Sequence, residues 1–521
     1  MHSFVLHRYW LVLAVLIGLR VVFGLGAFPN PDEAYYWLWG QHLDWSYFDH
    51  PPFHAWIQGL FTKVLGRSHF VLRLPTVISS GLLLWLYSKI CGRLYGRQAN
   101  HAFWLTLLLL LTSPLLFLFL AMAWHDHWLI VFGLAASFCL IRFLSGDRLE
   151  DYPWLYGAGI LIGLAALCKY VALFLGLGFL AAIGSEARWR SLLKNGHLYG
   201  AIALALLVTT PIFWWNAQHD FASFQFYLGR SVQAESPTPI QWFGPIGFGL
   251  LSILIFGPIH TGVLVKAAFQ EPATYFGTTY RRVAFAVFAV STIGLGVLSL
   301  KVPVLYYWNI LAYPLLLPLM AGIFLNPYRS ADLRHRWWLR GTAGLGLVVA
   351  ILLVAHYTLF PWSALAGETG DEDTRMLYGW SQVAEQVQQA AATFPMAPLL
   401  LTTDYRSAAA LAYVLQDATV MSVSGRIDQF DFWYDAIALD GKDAVLVGDR
   451  WHPICPAHLQ MFDRTDPAET IAVKRFGIFI KDYMLVRGYG FQTNGANADP
   501  LSSDYPLAFT SDGEICAGES S

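Results

Sequence analysis

The chain has 521 residues, 56% of them hydrophobic and 13% charged, with a mean hydropathy of +0.47 and a formal net charge of −2. Soluble domains carry about twice that charged fraction, so the composition excludes a soluble globular enzyme and points to a polytopic membrane protein. A near-neutral balance without a basic tail or low-complexity tract also excludes a nucleic-acid binder.

In chain order, apolar segments predict membrane helices near 10–28, 71–90, 101–121, 126–144, 154–168, 170–184, 198–215, 242–265, 283–300, 304–325 and 339–358. The first reads as a retained helix rather than a cleaved signal, because no convincing small-residue cleavage site precedes the polar turn after it. Lys and Arg concentrate in alternate connections, including Arg93, Arg97, Arg142, Arg148, Arg188, Arg190, Arg281 and Arg282. By the positive-inside rule the N-terminus is cytoplasmic and, after eleven spans, the tail is outside. The expected class is therefore an α-helical polytopic membrane protein of about 11 spans over residues 1–358, with a small C-terminal extracytoplasmic α/β domain over 359–521. Short apolar runs at 399–403, 419–423 and 444–447 predict strands of that domain, with a helix over 407–415 between the first two. The domain shows no glycine-rich nucleotide fingerprint and no nucleophile elbow.

The first outer loop, 29–70, is the chemically dense stretch. Asn30, Pro31, Asp32 and Glu33 fit the N-cap and first three positions of a helix, with Glu33 placed to reach back in a capping box. Capping alone accounts for both acids, and function accounts for them equally. Asp44, Asp49 and His50 follow among Tyr35, Tyr36, Trp37, Trp39, Trp45, Tyr47 and Trp56. A second helix is expected after Pro51 and Pro52, its apolar stripe lying in the membrane interface.

Charges at membrane depth are costly and each demands a reason. Asp126, between His125 and His127, opens the fourth span on the outer side. Its ordinary role there is an N-cap. Lys169 falls between two short spans and Lys301 before the tenth, where snorkelling to headgroups is the competing explanation. Arg73 stands at the outer start of the second span. Asp49, His50 and His125 are the set that a divalent metal could use, although the cations present make one unnecessary. Cys455 and Cys516 lie in the tail and could pair in an oxidising compartment.

The motifs PDEAYYW, YFDHPP with Trp56 following, RLP at 73–75, the Asp126 turn, GLAALCK ending at Lys169 and KVPVLYYW come in the order found in the GT-C glycosyltransferases. The chain resembles the bacterial branch holding the lipid A aminoarabinose transferase and relatives of the protein O-mannosyltransferases, well over 10–325 and loosely over the tail, where GRIDQFDFW is similar. The resemblance implies a sugar donor on a polyprenyl (undecaprenyl) phosphate, an extracytoplasmic acceptor such as lipid A, lipopolysaccharide core or another envelope glycan, and a site on the outer face of the inner membrane. It further implies that Asp32 is the catalytic carboxylate and Asp126 the second-loop carboxylate. His50 stands where aminoarabinose transferases read lysine, and Tyr35 where arginine is common.

A carboxylate base fits inversion at the anomeric carbon, with Asp32 accepting the proton and Glu33 or Asp126 orienting the acceptor. The donor phosphate needs cations, for which Lys169, Lys301, Arg73 and His50 are candidates, while Tyr36 and Tyr47 would stack on sugar or line the lipid groove. No cofactor is required on this reading. Two alternatives stay open: a protein O-glycosyltransferase, and a non-enzymatic glycolipid transporter, which the short spans near 154–184 would also suit.

Overall fold

The computed structural model describes residues 2–232, 240–325, 333–367, 372–424, 426–434 and 437–492. In chain order α1 (His2–Gly26) is followed by the two loop helices α2 (Pro31–Gln41) and α3 (Phe53–Leu65), then by α4 (His69–Tyr95), α5 (Ala99–Thr112), α6 (Pro114–Phe119) and α7 (Asp126–Leu144). Next come α8 (Tyr152–Ala166), α9 (Leu173–Ser185), α10 (Gly196–Val208), α11 (Thr210–Gln218), α12 (Ala222–Val232), α13 (Gly244–Phe256), α14 (Pro258–Ala268), α15 (Tyr275–Leu298), α16 (Ala312–Gly322) and α17 (Leu333–Thr358). Helix occupies all or part of each apolar segment. Among the described residues five helices are long and apolar enough to cross a membrane, and up to seven if each bent pair is one span.

The bends have chemical causes. The α10–α11 pair turns by 48° where Pro211 enters, since proline carries no N–H for the ladder. The α13–α14 pair turns by 100° at Gly257, whose φ of +113° is open to glycine at no steric cost. Pro258 then starts the next helix, and Ser113 Oγ donates to the Phe256 carbonyl left without a helical partner (2.8 Å).

The chain forms two compact units. The first takes the residues up to Gly24, Trp45–His54 and Arg73–Val354; the second takes Leu25–Asp44, Ala55–Leu72 and the described residues from Ala355 onward. Residues 29–44 and 55–70 of the first outer loop fall in the second unit, with the described residues from Ala355 onward.

That domain is built on a mixed six-stranded sheet, ordered β2 (Met421–Ser422), β1 (Leu399–Thr402), β3 (Ala444–Asp449), β6 (Ile478–Phe491) and β4 (Phe462–Thr465), with β5 (Glu469–Arg475) also paired to β6. β1 runs parallel to β2 and β3, and β6 antiparallel to its neighbours. Helices α18 (Trp380–Ala391) and α19 (Tyr405–Leu415) belong to the same unit, the second forming the crossover from β1 to β2. Leu401, Val423, Leu446, Phe462 and Phe491 make its buried core.

Aromatic contacts explain why α2 joins this unit. Tyr35 packs on Tyr405 (ring centroids 5.0 Å) and stacks on Phe430 (5.8 Å), and Trp37 meets Tyr413 edge-on (5.2 Å). α3 crosses α2 where two glycines touch: a Cβ on Gly40 would lie 2.6 Å from the Gly59 nitrogen, so neither position admits a side chain.

Candidate active site

The polar centre of the first unit is a buried ion pair. Asp126 sits in the first turn of α7, where the helix dipole favours an anion, and is fully buried. Lys169 has extended backbone at the break between α8 and α9, which frees its side chain to reach across. Its Nζ donates to Asp126 Oδ1 at 3.0 Å and Oδ2 at 3.2 Å, and lies 5.0 Å from the centre of the Tyr307 ring. His125 Nε2 stands 3.4 Å from Asp126 Oδ2.

The loop residues of the same unit close around that pair. His50 packs against His125, ring centroids 4.4 Å apart. Tyr227 Oη donates to the Asp49 carbonyl at 2.5 Å and lies 2.9 Å from His50 Nδ1. One hydroxyl proton given to Asp49 leaves the Tyr227 oxygen to accept, which assigns the hydrogen to His50 Nδ1. Phe53 N–H donates to the Leu167 carbonyl (3.0 Å) and His54 Nε2 lies 2.7 Å from the Ala123 carbonyl, tying the loop to α8 and to the turn before α7.

Beside this cluster lies an apolar cavity of about 440 Å³ among α8, α9 and α10, lined by Leu155, Ile162, Leu173, Phe179 and Leu206 among others. Tyr170, next to Lys169 in sequence, also lines it. The Tyr170 ring meets Tyr227 edge-on at 4.7 Å, so the cavity wall is continuous with the polar cluster.

Asp32 and Glu33 belong to the second unit. Asn30 Oδ1 accepts from Asp32 N–H (3.0 Å), and Glu33 Oε2 accepts from Asn30 N–H (2.8 Å), completing the capping box. Glu33 is fully buried and its carboxylate is held by that bond. Asp32 is half-buried at the same helix start and interacts electrostatically with Tyr405. Burial is the main reason the Tyr405 phenol is pushed up, with the Arg426 guanidinium, 4.7 Å over its ring, opposing and Asp32 reinforcing.

Four other candidates stand differently. Arg73 is 3% exposed and donates to the carbonyls of Phe23 (3.3 Å) and Gly24 (3.0 Å), holding the end of α1. Lys301 is exposed; its backbone N–H donates to the Leu298 carbonyl (2.9 Å), and its ammonium makes no hydrogen bond or ion pair among the described residues. Tyr47 is fully buried, and Tyr36 packs on Trp39 (5.0 Å). Among the described residues no three His, Cys, Asp or Glu side chains are placed to hold a metal ion, so Asp49, His50 and His125 do not assemble as ligands. Cys455 is disulfide-bonded, whereas Cys516 lies outside the described residues.

Sequence reasoning missed Tyr227, Tyr405 and Arg426. Tyr405 follows Asp404, which caps α19 with its Oδ1 accepting from Arg406 N–H (3.0 Å); that helix start was the available signal. Tyr227 carries none beyond being one tyrosine in an aromatic stretch.

Residues 49–215 match the family model described as dolichyl-phosphate-mannose-protein mannosyltransferase. The lipid A galacturonosyltransferase RgtD of Rhizobium johnstonii is 26% identical over 398 residues, 74% of this chain and 78% of the relative. An undecaprenyl phosphate-alpha-4-amino-4-deoxy-L-arabinose arabinosyl transferase of Edwardsiella ictaluri is 26% identical over 381 residues, 68% of this chain and 66% of the relative. The crystal structure of ArnT from Cupriavidus metallidurans bound to undecaprenyl phosphate superposes with a TM-score of 0.62 at 18% identity, over 92% of this chain and 98% of that one.

Fold and relatives together define a multi-pass membrane glycosyltransferase. Within that class the chain is similar to the GT-C polyprenyl-phosphate-sugar glycosyltransferases.

Proposed function

We propose that this enzyme transfers a sugar from undecaprenyl phosphate to lipid A or the lipopolysaccharide core, on the outer face of the inner membrane, with its N-terminus cytoplasmic and its C-terminal domain periplasmic. The observation that carries the reading is the Lys169–Asp126 pair beside an apolar cavity: a fixed cation next to a slot suited to a prenyl chain. The named activities of the relatives supply the acceptor class.

In the reaction an acceptor hydroxyl attacks the anomeric carbon and gives its proton to Asp32. The bond from that carbon to the phosphate oxygen breaks with inversion, and the electron pair leaves on the phosphate. Lys169, oriented by Asp126, meets the charge that develops there, and His50, oriented by Tyr227, assists. No metal enters the step, so chelation should leave the rate unchanged. Arg73 and Glu33 act as structural residues, through the α1 carbonyls and the α2 cap. Tyr35, where arginine is common in aminoarabinose transferases, is committed to the C-terminal domain, since its hydroxyl accepts from Gln429 N–H at 2.9 Å.

The test is transfer by purified protein from a panel of undecaprenyl-phosphate sugars to lipid A and to core oligosaccharide, read as a mass increment of one glycosyl residue. The family model that spans 49–215 favours one second reading, protein glycosylation. An acceptor protein labelled in place of the glycolipid would establish it, and failure of every acceptor with intact donor binding would overturn both.

A further inference from the structure

The β5–β6 hairpin ends in a feature that neither the sheet nor the transferase chemistry needs. Arg475 and Ile478 pair across a two-residue turn, Phe476–Gly477, with φ of +53° and +78°. Positive φ at both central positions is the geometry of tight hairpin turns, where Asn or Gly is favoured and a bulky aromatic is a costly choice. Phe476 is nevertheless there, and it is 76% exposed.

Its surroundings share that character. Leu359, Trp362 and Leu365, in the segment that leaves α17, are 57%, 49% and 62% exposed, and Ile478 is 36% exposed. The Phe360 and Phe476 rings lie 6.4 Å apart. Lys474 and Arg475, both exposed, flank the tip. Arg475 donates to the carbonyl of Thr358 at 3.3 Å. Thr358 is the last residue of Arg336–Thr358, one of the five helices able to cross a membrane. The tip is therefore bonded to the last residue of a helix long and apolar enough to cross a membrane.

Exposed aromatic and aliphatic side chains beside lysine and arginine, at the height of a helix end, have the composition of an interfacial anchor. We propose that the β5–β6 tip, together with residues 359–365, is seated in the headgroup and upper acyl region of the bilayer, with Lys474 and Arg475 against lipid phosphates. The anchor fixes the unit that carries Asp32 at a set depth relative to lipid-borne substrates. A second copy of this chain is the competing occupant of the same patch, and the experiment separates the two.

The probe is a cysteine-linked fluorophore at F476C, at L365C, and at K442C as control, with Cys91, Cys139 and Cys168 replaced by alanine. Lys442 is exposed near the opposite end of β6, about 40 Å along a 14-residue strand. In nanodiscs of phosphatidylglycerol and phosphatidylcholine holding one protein each, lipids brominated high on the acyl chain should quench labels at 476 and 365 about threefold more than at 442, and iodide should do the reverse. Water-like behaviour at both 476 and 365 would overturn the proposal. So would protection that appears only in discs holding two copies, which would assign the patch to self-association.

Discussion

The two acidic centres of the molecule solve opposite problems. Asp126 is fully buried and bonded to an ammonium 3.0 Å away, and its helix start adds a positive field. Its carboxylate oxygens both accept from that ammonium, and its value lies in holding Lys169 at one angle. Asp32 also opens a helix, but it is half-buried and interacts electrostatically with the phenol of Tyr405. The difference teaches that an aspartate at a helix start is not one kind of residue: one is fully buried on an ammonium, and the other, half-buried, is the one proposed above to receive a proton.

That contrast breaks most sharply at Asp32. Asp32→Asn should lower turnover about a thousandfold, the size of a lost general base, with the thermal midpoint nearly unchanged. Lys169→Met comes next. It should cost about a hundredfold in rate and also destabilise the protein by about 3 kcal/mol, because Asp126 is left buried and uncompensated. Adding Asp126→Asn to that variant should restore much of the stability and none of the activity, a pattern that thermal melts and initial rates can separate. If the double variant recovered transfer, the pair would be scaffolding alone. Tyr227→Phe should be milder, raising the donor KM about tenfold as one oriented hydrogen bond is lost.

The smallest expected effect lies in the C-terminal domain and sharpens the comparison from the other side. Lys481 is fully buried against Tyr483 (4.1 Å), Trp380 (5.3 Å) and Trp451 (5.8 Å). Burial pushes its amine down to about 7, against the opposing pull of Asp449 and Glu372. Unlike Lys169 it has, among the described residues, no carboxylate in hydrogen-bond contact. The unfolded chain keeps the proton up to about 10.5 while the folded one releases it near 7, so the penalty is complete below pH 7 and fades as pH rises toward 10.5. Lys481→Met should therefore stabilise the protein by about 2 kcal/mol at pH 6 and by almost nothing near pH 10, read from thermal midpoints. Equal gains at both pH values would mean that packing, not charge, is responsible.

Much of this was legible in the sequence for a physical reason: local rules write local structure. The capping box at Asn30–Glu33 and the helix after Pro52 follow from caps and periodicity and stand where those rules put them, and the helix expected over 407–415 lies within α19. Lys169 and Asp126 could be singled out because charges are expensive at membrane depth, although a sequence separation of 43 hides their contact. The tail was harder. β4, β5 and β6 were not anticipated, since β6 follows the turn at Phe476–Gly477, which carries no Asn-Gly or Asp-Gly signal. The membership of α2 in the C-terminal unit depends on ring contacts between residues almost 400 apart, and no local pattern encodes those.

The most direct test of the division of labour is a paired measurement on Asp32→Asn and Lys169→Met: equilibrium binding of undecaprenyl phosphate, and single-turnover transfer at saturating donor. The account predicts near wild-type binding with lost chemistry for Asp32→Asn, and weakened binding with slowed chemistry for Lys169→Met. Lost donor binding in Asp32→Asn, combined with normal single-turnover transfer in Lys169→Met, would contradict it.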